Sequence, residues 1–120
     1  MIYVLIWAHC FADFFMQTDQ QAKNKSSSNY WLARHIVSYM FWMWLALRFS
    51  QIFVGPYSVG ATSAYVLVNG LAHFATDYIT SRITKRLWAE KQVHNFFAVI
   101  GVDQALHLTV LVATMPLLKG

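Results

Sequence analysis

Residues 57–80 read YSVGATSAYVLVNGLAHFATDYIT, and this stretch decides the fold. Its length and apolar character suit a helix that crosses a bilayer. Gly60, Ala61, Ser63, Ala64, Gly70 and Ala72 are small side chains that let helix backbones approach closely in lipid. His73 and Asp77, one helical turn apart, lie inside it. An ionised carboxylate in a span costs roughly 2.5–3.5 kcal/mol on insertion scales. The segment therefore predicts a membrane helix enclosed by neighbours that compensate its Asp.

Those neighbours are found on either side. Residues 30–54 are rich in Trp, Tyr, Phe, Met and Leu and end at Gly55-Pro56, a helix-breaking pair that makes a tight turn into 57–80. Trp31, Phe41, Trp42 and Trp44 read as lipid-facing bulk and interface anchors. Residues 94–118 return as a last span, with His94 at its interfacial entry. Residues 1–17 make a short first span of about 25 Å at 1.5 Å per residue. Lacking a basic leader and a small-residue cleavage site, that run is expected to be retained. Residues 18–29 (TDQQAKNKSSSN) read as a polar loop, and 81–93 (SRITKRLWAEKQV) as an amphipathic stretch along the headgroups.

The fold expected is all-α: one integral membrane domain, 1–120, built as a four-helix bundle with short connections. Lys23 and Lys25 in one connection, and Arg82, Lys85, Arg86 and Lys91 in the other, put both on the cytoplasmic side and both termini outside. Composition agrees, with 58% hydrophobic and 12% charged residues; a soluble bundle would need charged faces that are missing here. The net charge of +4 comes from residues between apolar runs and forms no basic stripe interleaved with aromatics, which excludes a nucleic-acid partner. Cys10 is the only cysteine, so neither an internal disulfide nor a thiolate zinc site is available.

Three of the five acidic residues fall within the spans, each with a His four residues away: His9 with Asp13, His73 with Asp77, Asp103 with His107. That spacing puts both side chains of a pair on one helix face. Given the alternating helix directions, every Asp lies on the cytoplasmic side of its His. His35 enters from the second span at similar depth. The seven N/O groups suffice for one tetrahedral zinc site, or for two metals sharing carboxylates. Gln17, Asn69 and Gln104 flank the pairs and are expected to orient the ligands. Zinc is the default ion, and Mn, Fe or Co suit the same donors.

The chain resembles a family of small membrane proteins of bacteria and their phages, known only as a domain of unknown function. The likeness runs through His9-Cys-Phe-Ala-Asp13-Phe14 with Gln17, Ala22 and Lys25, through His35 and His73-Phe-Ala-Thr-Asp77 with Ser81 and Arg82, and through Phe96-Phe97 and Gly101-Val-Asp103-Gln104 to His107. It implies a bacterial inner-membrane location and the same site residues, and no activity.

The first functional expectation is a metal-dependent hydrolase acting on a lipid or isoprenoid headgroup at the cytoplasmic face. Asp13, Asp77 and Asp103 would be its catalytic carboxylates, and Lys25 or Arg82 would hold a phosphate. A second is a divalent-cation or proton transporter working as a homo-oligomer, because four short helices hardly enclose a gated path. A third is a structural or regulatory, phage-type membrane protein whose His–Asp network keeps its helices in register.

Overall fold

The first residues form helix α1 (Ile2–Cys10), which runs directly into a π-helical turn over Phe11–Phe15. The turn closes with the Met16 N–H donating to the Phe11 carbonyl at 3.1 Å. The wider ring inserts one extra residue into the helix, and Ala12 and Asp13, both buried, sit in it.

A computed structural model describes residues 1–120, and all of its regular structure is helical. Within the polar 18–29 stretch there is a separate short helix, α2 (Asp19–Asn24). Thr18 starts it with a reciprocal cap: its hydroxyl accepts from the Gln21 N–H, and the Gln21 side chain accepts from the Thr18 N–H. The polar composition concealed this helix, whose signal is a Thr-x-x-Gln cap with no apolar periodicity behind it.

Helix α3 (Asn29–Val54) is capped by Ser28 and ends at Gly55, whose φ of 97° is open to glycine and strained for other residues. Ser58 then caps α4 (Val59–Ala89), its hydroxyl accepting from the Ala61 N–H at 2.9 Å. The expected change of structure at residue 81 does not occur. Helix α4 continues unbroken through 31 residues, about 46 Å at the α-helical rise. Residues 81–89 contain no Gly or Pro to stop it, and the Arg86–Glu90 pair at 2.8 Å supports its last turn. The chain reverses at Glu90–Gln92, with Lys91 left-handed at φ 59°. Helix α5 (Val93–Ala113) follows, and a 3₁₀ turn (Met115–Lys119) around Pro116, which has no N–H to extend an α-helix, ends the chain.

Helix α4 packs against both α3 and α5, and α1 against α3 and α5. Helix α3 packs tightly on α4 at Gly70, where a Cβ would run into the Met40 side chain. One part of the interior is apolar, with Leu5, Tyr39, Met43, Leu47, Tyr65, Val66 and Leu111 in a single cluster. The Tyr65 hydroxyl donates to the Leu111 carbonyl there. The rest of the interior is polar, and nearly half of the 26 buried residues are polar or charged.

The outside is the reverse, with Phe53, Tyr3, Ile52, Phe15 and Trp7 each more than two thirds exposed. Two helical segments, Asn29–Val54 and Val93–Lys119, are long and apolar enough to cross a membrane; the apolar Ile2–Phe15 is shorter. Helix α4 falls short in hydropathy because its inward face carries Thr62, Asn69, His73, Asp77, Thr80 and Ser81, all buried.

Candidate metal centre

The seven predicted His and Asp residues converge. The π turn delivers Asp13, the second turn of α3 delivers His35, the middle of α4 delivers His73 and Asp77, and α5 delivers Asp103 and His107. His9, Asp13, His35, His73, Asp77 and His107 are all buried. Asp103 keeps 14% of its side chain exposed.

Asp13, His35, His73 and Asp77 each turn one donor atom to a common point, all four atoms lying within 4.8 Å of one another. His35 Nε2 is 3.0 Å from Asp13 Oδ1 and 3.5 Å from Asp77 Oδ2. His73 Nε2 is 3.2 Å from Asp13 Oδ1 and 3.6 Å from Asp77 Oδ2. The two imidazole nitrogens are 3.2 Å apart. Zinc–nitrogen and zinc–oxygen bonds of about 2.0–2.1 Å give a tetrahedron with edges of about 3.3–3.4 Å. The edges measured here scatter around that length, so the quartet could hold a metal ion.

The remaining donors surround the quartet. His107 Nε2 is 3.6 Å from Asp77 Oδ1, and His107 Nδ1 is 3.4 Å from Asp103 Oδ2. The His107 ring stacks on that of His73 with centroids 4.0 Å apart. His9 Nε2 is 3.7 Å from Asp13 Oδ2 and 3.2 Å from Gln104 Oε1. The Gln104 amide N–H groups donate to Asp13 Oδ2 and Asp103 Oδ2, which fixes the orientation of the amide.

Lys25 was expected to face a headgroup; here it reaches inward and its ammonium donates to Asp77 Oδ2 at 2.9 Å. Burial opposes the Lys25 charge, but the Asp77 and Asp13 carboxylates outweigh that effect and hold the ammonium above its ordinary pKa. Arg82 is not at the centre: it stacks on Tyr78 and donates to Asn29 Oδ1, tying α4 to the start of α3. Asn69 also stands apart, donating to the Tyr65 carbonyl and to Thr114 Oγ1. Gln17 has a buried oxygen without a hydrogen bond.

Two participants were not anticipated. The Tyr39 hydroxyl is 3.1 Å from His9 Nδ1, and the Thr80 hydroxyl donates to Asp103 Oδ1. Tyr39 follows His35 by four and Thr80 follows Asp77 by three, so helical spacing was the available signal. A cavity of about 160 Å³ opens beside the cluster, with Asp13, Asp77, Asp103, Lys25, Ser81 and Gln17 among its walls. Nine of the eleven residues that line it are polar or charged.

Residues 1–119 match the sequence model of a family described as "Protein of unknown function (DUF3307)", and the chain belongs to that family. No curated protein and no solved structure matches it.

Proposed function

We propose that this DUF3307 chain is a four-span membrane protein whose buried His–Asp centre binds a divalent metal, zinc by default, and uses it to hydrolyse a lipid or isoprenoid headgroup at the cytoplasmic face. The observation that carries the metal is the quartet Asp13, His35, His73 and Asp77, with donor atoms 3.0–3.6 Å apart along five of its six edges. A network kept only for helix register would leave Asp13 Oδ1 buried without a hydrogen bond. Such an atom costs roughly 1–3 kcal/mol. A cation held by the quartet supplies what it lacks.

Membrane residence is supported by the inverted polarity, with aromatic and aliphatic side chains outside and ionisable ones inside. Only 11% of the most apolar window of the last segment is buried, whereas the core helix of a soluble protein would be largely covered. The basic connections support a centre that faces the cytoplasm, and the resemblance noted above favours a bacterial inner membrane.

Hydrolysis is favoured by the polar cavity that ends on the carboxylates. A bound divalent ion would make water acidic enough to attack at neutral pH. Asp103 lies outside the quartet and lines the cavity, so it would take the proton of the attacking water. The water oxygen bonds to the phosphorus or acyl carbon of the headgroup, the ester bond to the leaving oxygen breaks, and that oxygen receives the proton. Once the ion takes over the charge of Asp77, Lys25, which lines the same cavity, would be released to hold the anionic group. Beyond the cluster, Leu5, Tyr39, Tyr65, Val66 and Leu111 close the interior with apolar packing, which weighs against a path for ions to the other face.

Purified protein incubated with phosphate- and acyl-ester lipids should release headgroup product, and chelation should stop it. Absence of metal-dependent turnover across such a panel contradicts the hydrolytic reading.

A further inference from the structure

The quartet uses only one oxygen of each carboxylate. Asp13 Oδ1 and Asp77 Oδ2 face His35 and His73, while Asp13 Oδ2 lies 3.7 Å from His9 Nε2 and Asp77 Oδ1 lies 3.6 Å from His107 Nε2. Each carboxylate thus has a pair of imidazole nitrogens on one oxygen and a further imidazole nitrogen on the other. One donor atom from each of His9, Asp13 and His107 lies within 4.8 Å of the other two. His107 is buried, and neither of its ring nitrogens has a hydrogen bond.

We propose that the centre is dinuclear: Asp13 and Asp77 bridge two divalent cations, the first held by His35 and His73 and the second by His9 and His107. This rests on the metal-binding reading above and adds a second site to it. The outer nitrogens of the second pair are placed to support it. Asp103 Oδ2, 3.4 Å from His107 Nδ1, is positioned to favour the tautomer with its proton on Nδ1, which leaves Nε2 bare for the ion while Asp103 stays ionised. His9 Nε2 now carries the proton it gives to Gln104 Oε1. Ligation there moves that proton to Nδ1, where the Tyr39 oxygen, 3.1 Å away, accepts it. No net proton is gained or lost at His9. His107 belongs both to the donor group with His9 and Asp13 and to that with Asp77 and Asp103, so it is the residue that would bring the two bridging carboxylates together at the second ion.

The test is metal stoichiometry of detergent-purified, metal-free protein titrated with Mn²⁺ or Zn²⁺ and freed of excess ion. The expected result is two equivalents in the unaltered chain, one in His107→Gln, and none in Asp13→Asn/Asp77→Asn. One equivalent in the unaltered chain, unchanged by His107→Gln, overturns the second site and leaves the first intact; no metal in the unaltered chain overturns both. Should His107→Gln fail to fold, the Mn²⁺ electron paramagnetic resonance spectrum of the unaltered protein decides without it. Two carboxylate-bridged ions at the usual separation of about 3.5–4 Å give an exchange-coupled signal, and an uncoupled six-line signal at full loading overturns the proposal.

Discussion

His35 Nε2 and His73 Nε2 lie 3.2 Å apart although their residues are 38 positions apart in the chain, and both face the same oxygen of Asp13. That oxygen is buried, and neither imidazole donates to it in hydrogen-bonding geometry, so the three groups crowd together without satisfying one another. A cation at the common point resolves the conflict, and the predictions below follow from that.

Metal should stabilise the folded chain. At a free ion concentration of about one hundred times the dissociation constant, a single site contributes about 2.7 kcal/mol. Thermal unfolding in detergent is expected to move upward by several degrees on adding Zn²⁺ and to return with chelator. An unchanged midpoint at saturating ion would count against a site built into the native state.

Lys25→Met removes the ammonium that contacts Asp77 Oδ2 at 2.9 Å. With metal absent, the variant should lose about 2 kcal/mol, since a nearly buried carboxylate is left without its cation. With metal bound, the ion supplies the charge and the loss should shrink. Chemical or thermal unfolding with and without metal measures the difference; equal losses would mean that Lys25 and the metal do not share Asp77.

Asp103→Asn is expected to retain metal in the quartet while headgroup hydrolysis falls by about 100-fold or more, the typical contribution of a positioned general base. Full activity in this variant would assign proton transfer to another group.

Gly70→Leu should destabilise the fold by about 1–3 kcal/mol through overpacking against Met40, and Met40→Ala should recover part of it. The pair reads helix packing alone. Metal content per folded molecule should be unaffected, and metal loss without loss of stability would contradict the packing role.

Much of the centre was legible because an Asp inside an apolar run is conspicuous, and His9/Asp13, His73/Asp77 and Asp103/His107 repeat one helical spacing. What spacing could not supply was the rotation of each helix about its axis. Asn69 shares a stripe with His73, yet α4 packs so that Asn69 meets the end of α5 at Thr114. Arg82 lies one turn or so beyond Asp77 and points away to Asn29. Lys25 reads as a surface residue, and only the position of the capped α2 lets it turn inward. The π turn was also invisible, since Phe11–Phe15 has no sequence signal beyond an apolar run interrupted by Asp13.

The helix extension beyond residue 81 has a similar cause. Basic residues between apolar ones mark an interface, but they are good helix formers and do not end a helix. The chain reverses instead at the left-handed Lys91.

Elemental analysis of detergent-purified protein beside Asp13→Asn/Asp77→Asn tests the metal centre most directly. Divalent metal in stoichiometric amount in the unaltered chain, and its loss in a variant that still runs as a folded species, is the predicted result. Unaltered protein that stays metal-free after exposure to excess ion, or a variant that keeps its full complement, would contradict it.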